Sequence, residues 1–263
     1  MATQAVKRVP RDDGFGRSTR FYEVDGQKLP SVTAILQAVN KPALIPWAAK
    51  QEREMVYAAI RRLIGDADVK RGNFMLSLES AVGQEKAHSK ELAKAGTIGS
   101  EAHSMIEWNL RKQLKQAVGP EPVIGEKALW AFMAWQDWAK AANLSVNFVE
   151  EVVWSKRYGY AGTLDFAGQI DHEGQRVHAV ADNKTSKAIY KESHLQIAAY
   201  GHALVEMGHA DVMPVGCIVR LPKNEEDPGF EVITISPERM KANHKVFLHV
   251  LELWKFLDEK QSG

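Results

Sequence analysis

The chain has 263 residues and a formal net charge of +1, with 45% hydrophobic and 25% charged residues, the balance of an ordinary globular protein rather than a disordered one. Lys plus Arg total 34 against 33 for Asp plus Glu, which excludes a globally basic protein of the histone kind but leaves room for a local basic groove. The one cysteine, Cys217, excludes an intramolecular disulfide and any cluster or zinc site held by several thiolates of this chain.

Residues 1–20 read as a flexible polar arm lacking the apolar core of a signal peptide. No run of about 18 apolar residues occurs, so no membrane helix is expected and the setting is taken to be a reducing cytoplasm, bacterial or that of a phage host. Phe21 to Leu29 predicts a hairpin, because Asp25-Gly26 suits the positive φ angles of a two-residue turn. Pro30 ends it, and Ser31 or Thr33 can cap a helix carrying Ile35, Leu36 and Val39. From Trp47 to Trp108 the apolar spacing is helical, broken near Gly65-Asp66 and Gly72-Asn73, with a further helix from about Gly99 through His103 to Leu110. Glu126 to Ala142 is a helix whose Trp130, Phe132, Trp135 and Trp138 form a core stripe.

After Asn143 the character changes to short runs of β-branched and small residues. Phe148–Trp154, Gly162–Ile170 and Arg176–Asn183 read as strands, a helix runs from Ser193 to Met207, and Val215–Leu221 and Phe230–Ile235 are two more strands. Ser236-Pro237-Glu238 opens a last helix to about Asp258: Ser caps, Pro fits the first turn and Glu faces the positive end of the dipole. The expected class is α/β with a mixed sheet. The expected organisation is an arm at 1–20, a hairpin and helical portion at 21–145 and a core at 146–263, together one compact unit.

The chemistry concentrates in Gly162-Thr163-Leu164-Asp165 and Ala181-Asp182-Asn183-Lys184. Strand alternation puts Asp182 and Lys184 on one face and Asn183 on the other, and neighbouring strands bring Asp165 beside Asp182. Two carboxylates in a small volume repel, and a hard divalent cation, Mg²⁺ or Mn²⁺, resolves the repulsion with oxygen ligands. A lysine beside it can orient or deprotonate a water and stabilise charge on a phosphate. An Asp-x-Lys tripeptide also arises by chance, but Val177 to Ala181 is the flank of a buried strand, where unpaired charges are rarely placed. Gln196 and Tyr200 share a helix face and could meet a substrate phosphate or the lysine. His103 and Glu107 share another. Lys187 and Lys191, with Arg53, Arg61 and Arg62, are candidates for phosphate contacts, and Tyr190 for stacking on a base.

The order Gly-x-x-x-His, Gly-Thr-x-Asp, Asp-x-Lys-Thr and Gln-x-x-x-Tyr resembles the RecB-like branch of the PD-(D/E)XK nucleases. Leu29 to Leu36 and Lys41-Pro42 to Trp47 also resemble phage-encoded exonucleases of that branch and the mitochondrial genome-maintenance exonuclease. The resemblance runs from about Phe21 to Tyr200, and more weakly beyond. It implies a restriction-endonuclease-like core, with His103, Asp165, Asp182 and the Asn183 backbone carbonyl as ligands of Mg²⁺ or Mn²⁺. It makes Lys184, Asp165 and Asp182 the catalytic set, and Gln196 and Tyr200 the motif that positions DNA. The acidic residue that often precedes the first core strand would be Glu150 or Glu151. Four-cysteine relatives hold an iron–sulfur cluster, which Cys217 alone cannot do.

The implied activity is metal-dependent hydrolysis of DNA phosphodiesters in recombination, repair or processing, by an exonuclease more readily than an endonuclease. The implied partner is DNA, and a single-strand-annealing or other recombination protein is compatible with that role. A DNA-binding or scaffold protein that keeps the fold without catalysis is the rival reading. Oligomeric state is open.

Overall fold

The computed structural model describes residues 7–12, 18–39, 44–66, 73–82, 86–224, 226–227 and 229–259. The ends of the expected arm (1–6 and 13–17), Lys41-Pro42 and Gly72 lie outside them. The chain divides into two units, Met1–Val39 with Ile98–Gly263, and Asn40–Thr97. The smaller unit holds α2 (Leu44–Ile64), α3 (Phe74–Val82) and the first part of α4 (Ala87–Gln113). Within it, the Glu52 carboxylate accepts the Ala87 and His88 backbone N–H groups at 3.2 and 3.3 Å, which caps the start of α4.

The larger unit begins with a three-stranded antiparallel sheet, β1 (Lys7–Asp12), β2 (Ser18–Val24) and β3 (Gln27–Pro30). The expected hairpin is present: Asp25 and Gly26 have φ of 50° and 77°, and Tyr22 pairs with Leu29 across it. Lys7–Asp12, expected as part of a flexible arm, is instead the strand β1 paired with β2. Backbone pairing of this kind leaves no mark in composition. Ser31 caps the short helix α1 (Val32–Leu36), its hydroxyl accepting from Ala34 N–H at 3.1 Å.

After α5 (Glu126–Ala141) comes a five-stranded sheet in the order β4-β5-β6-β7-β8. Its strands are β4 (Ser145–Ser155), β5 (Tyr160–His172), β6 (Gln175–Lys184), β7 (Val215–Arg220) and β8 (Glu231–Ile235). All neighbours are antiparallel except β6 and β7, which are parallel and joined through α6 (Lys191–Glu206). The helix α7 (Pro237–Glu259) follows β8. The α/β class and mixed sheet are as the sequence implies, and the arrangement is compatible with a restriction-endonuclease-like core. Among the described residues no helix is long and apolar enough to cross a membrane.

Two cores form. One joins α1, α6 and α7 to the sheet through residues such as Ile35, Ile197, Ile218 and Phe247. The other joins α4 and α5 to it through Ile106, Trp135, Trp138, Phe166 and Val219. Trp135 and Trp138 lie 6.4 and 5.8 Å from Phe166 between ring centroids, so these two members of the aromatic stripe are core, as their spacing predicts. The helix α4 starts twelve residues before the Gly99 expected from sequence, because Gly96 and Gly99 lie inside it rather than before it. Each costs a helix about 1 kcal/mol relative to Ala.

A polar knot ties α6, α7 and β5 together. His202 and His244 stack with centroids 3.9 Å apart, and the Tyr160 hydroxyl meets Ala199 O at 3.0 Å and His244 Nε2 at 3.1 Å. Burial, helped by repulsion from His202, lowers the His244 imidazole from 6.5 to about 3. Burial also lowers His202, although Glu206 pulls it back up. Below about pH 6.5 the unfolded chain therefore binds protons at these positions that the folded chain refuses, and folding stability falls as pH falls from there toward 3. The melting temperature is expected to drop more steeply between pH 7 and pH 5 for the native chain than for His244→Phe. Parallel curves for the two proteins would exclude this pair as the cause.

Candidate active site

Three strands deliver one carboxylate each to the same place. The pairs Val149↔Phe166 and Glu151↔Leu164 set Glu150 opposite Asp165, and Phe166↔Ala181 sets Asp165 next to Asp182. These residues line a pocket of about 220 Å³ together with His103 of α4, Lys184 of β6 and Gln196 of α6. The backbone at Glu150 is left-handed, with φ of 48° in mid-strand, a conformation that costs a non-glycine residue on the order of 1 kcal/mol or more. Strain of that kind persists where the surroundings impose it. Here it accompanies a glutamate that enters the pocket while Glu151 does not line it.

His103, Glu150 and Asp165 each offer a ligand atom, all within 4.8 Å of one another. His103 Nδ1 lies 3.5 Å from Asp165 Oδ2, which also accepts the Asn183 backbone N–H at 2.7 Å. The Asn183 N–H thus points toward β5, and since a strand residue directs its N–H and C=O to the same side, its carbonyl lies on that side too. Between Glu150 and Glu151, which the sequence does not separate, the geometry selects Glu150.

Asp182 sits in different company. Its carboxylate is 1% exposed, with Oδ2 2.7 Å from Lys184 Nζ and Oδ1 accepting from Gln196 Nε2 at 3.0 Å. It is not one of the three residues whose ligand atoms cluster. Burial raises its carboxyl to about 6, with Asp165 adding to the rise and Lys184 opposing it. Burial disfavours the charge on Lys184 too, but the attraction of Asp182 and Asp165 outweighs it and the amine is held above its ordinary value. Lys184 is thus an ammonium group, suited to orienting water and to meeting negative charge rather than to removing a proton.

Gln196 links the parts. Its Oε1 accepts from Lys184 Nζ at 3.0 Å, while Nε2 donates to Asp182 and, at 3.2 Å, to the Tyr200 hydroxyl. The Gln-x-x-x-Tyr pair shares one helix face as expected, and its polar atoms face the lysine and the carboxylate. Tyr200 is buried, and burial, with Asp182 next, pushes its phenol well above the ordinary value. A Cβ on Gly162 would lie 2.5 Å from Tyr200 Cε1, so the glycine of Gly-Thr-x-Asp is the space this ring occupies. A Cβ on Gly99 would likewise stand 3.0 Å from Thr185 Oγ1. Gly-x-x-x-His therefore lets α4 approach the end of β6 and carry His103 to the carboxylates.

Other expected residues lie elsewhere. Glu107 accepts from Arg111 Nε at 2.7 Å along α4 and does not line the pocket. Lys187, Tyr190 and Lys191 are exposed, between the end of β6 and the first residue of α6, and none of them lines it. Arg53, Arg61 and Arg62 belong to the smaller unit. The pocket wall also contains Tyr22, Ser31 and Thr33, which sequence reasoning did not place there. Tyr22 reaches it through a 2.9 Å contact between its hydroxyl and Thr163 Oγ1, across 141 residues of chain. No local pattern reports a contact of that range.

No protein-family model and no curated protein matches the chain, so the site is read from its geometry. Mn²⁺ binding followed by calorimetry is expected to be lost or strongly weakened in Glu150→Gln and Asp165→Asn but kept in Glu151→Gln. Equal binding by all three would remove Glu150 and Asp165 as ligands. Gly162→Ala is expected to destabilise the fold by about 1–3 kcal/mol, since a buried ring must shift to admit the methyl. An unchanged denaturation midpoint would show that Tyr200 does not pack as described.

Proposed function

We propose that the chain is a metal-dependent deoxyribonuclease that hydrolyses phosphodiester bonds, working as an exonuclease at DNA ends in recombination, repair or processing. The observation that carries this reading is the pocket itself: an imidazole and two carboxylates close enough to share one ion, beside a buried carboxylate paired with an ammonium group. One nitrogen and several oxygens are a donor set that Mg²⁺ and Mn²⁺ accept, so His103, Glu150 and Asp165 fit such an ion. When bound, it would supply Lewis-acid stabilisation of phosphoryl charge and lower the pKa of a coordinated water.

The chain's own groups do the rest. Lys184 Nζ donates to Gln196 and is ion-paired with Asp182, which holds the ammonium in place to meet a phosphate oxygen or the attacking water. Asp182 fixes the position of that ammonium and keeps it charged. Gln196 bridges both, so that neither can rotate away without breaking a hydrogen bond in a half-buried site. The ordered resemblance to RecB-like nucleases favours DNA over other phosphodiesters and an exonuclease over an endonuclease, and it goes with a cytoplasmic setting.

End-labelled linear DNA and closed circular DNA, each single- and double-stranded, are expected to separate in a digestion assay. Linear DNA should be degraded with Mg²⁺ or Mn²⁺, spared in EDTA, and spared as a closed circle. Lys184→Ala should lower the rate about 10²–10³-fold, the usual cost of losing one charge-stabilising donor. Wild-type cutting by Lys184→Ala would sink the role of the lysine, and undiminished cutting in EDTA would sink the metal.

A further inference from the structure

Three lysines from three separate elements come together beyond the end of β6, the strand whose Asp182 and Lys184 line this pocket. The strands β6 and β7 run parallel with Lys184 in register with Arg220, and the Leu221 N–H donates to Lys184 O at 2.7 Å. Lys187 and Lys223 each lie three residues beyond that matched pair, so both emerge from the same end of the sheet on neighbouring connections. Lys127 joins them from the first turn of α5, whose Gly125 N–H donates to Glu101 Oε2 at 2.9 Å, one half-turn from His103 on α4. Ala128 beside it is buried in the same core as Leu221.

The electrostatics agree with this convergence. Lys223 is held below its ordinary pKa, by burial first and then by repulsion from Lys127, with Lys187 repelling it too and Asp227 partly compensating. Asp227 is itself engaged by Arg220, at 2.9 Å. Among the described residues none of the three lysines forms an ion pair, whereas Lys50, Lys94, Lys156, Arg111, Arg176 and Arg220 all do. Like charges drawn together with only partial compensation from Asp227 favour an anion in the space between them.

We propose that Lys127, Lys187 and Lys223 form a backbone-binding subsite that takes DNA phosphates next to the one being cleaved, guiding the strand past the end of β6 into the pocket. This rests on the nuclease reading for the identity of the polyanion, and it adds two residues, Lys127 and Lys223, that no sequence pattern points to. The subsite is sequence-independent, since lysine contacts to phosphate position a strand without reading its bases.

The test is binding of a 20-nucleotide single strand and its duplex across a salt series in EDTA, so that no cleavage enters the measurement. The triple variant Lys127→Ala, Lys187→Ala, Lys223→Ala is compared with a control of equal charge change, Lys140→Ala, Lys241→Ala, Lys245→Ala. The log–log salt slope of the first should be shallower than that of the native chain by about 2–3 on at least one of the two DNAs, with the control unchanged. An unchanged slope, or an equal loss in the control, would overturn the subsite. A native chain that binds DNA with this slope but cuts none would sink the nuclease reading and leave the subsite standing.

Discussion

Three carboxylates held side by side on adjacent strands repel one another, and much of the larger unit can be understood as the means of keeping them there. Glu150, Asp165 and Asp182 occupy neighbouring places on β4, β5 and β6. Each is balanced differently. Asp165 accepts a backbone N–H from Asn183 and faces the His103 imidazole, whereas Asp182 is buried against Lys184 and Gln196. Removing any one of these partners would leave a charge in a poorly solvated place, which is more costly than the partnership is stabilising. The proposal of a cation at His103, Glu150 and Asp165 draws on the same imbalance.

That constraint explains features that look unrelated when taken singly. The left-handed Glu150 backbone, the glycine at 162 beneath the Tyr200 ring and the glycine at 99 against Thr185 all serve close approach. In each case a local conformational cost is accepted where tertiary packing returns more. The division of labour among acids follows from burial. Glu150 and Asp165 are half-buried, with ligand atoms grouped near an imidazole, and are suited to holding an ion. Asp182 is enclosed and devoted to a lysine, and is suited to holding that lysine.

The larger scaffold places these groups through topology. Because β6 and β7 are parallel, their carboxyl-terminal ends and the connections that follow lie on one side of the sheet. Open α/β sheets gather ligands at such ends, where a change of strand direction leaves a crevice. Lys184 closes β6, Lys187 and Lys223 follow on adjacent connections, and α4 and α5 bring His103 and Lys127 from the helical layer. The near-zero net charge of the chain thus conceals a local pattern, with acids lining the pocket and, among the described residues, three lysines without an ion pair beyond the end of β6.

Much of this was legible in the sequence, because its signals are local. Alternation alone puts Asp182 and Lys184 on one face, Asp25-Gly26 marks a turn, and the spacing of Gln196 and Tyr200 sets them on one side of a helix. The strands, α6 and the opening of α7 follow from the same periodicities. What required tertiary structure was long-range or strained. The choice of Glu150 over Glu151 depends on a left-handed residue that ordinary alternation does not anticipate, and β1 depends on backbone pairing with β2. Gly99 reads locally as a helix start, yet it lies within α4 at a point where a side chain would press on Thr185. Tyr22 at the pocket and Lys127 beside Lys223 are separated from their partners by most of a domain in sequence. Residue type and spacing determine which chemical groups this chain can offer, but which carboxylates stand together and which lysines neighbour one another is decided by packing, since only packing sets distances between groups far apart along the chain.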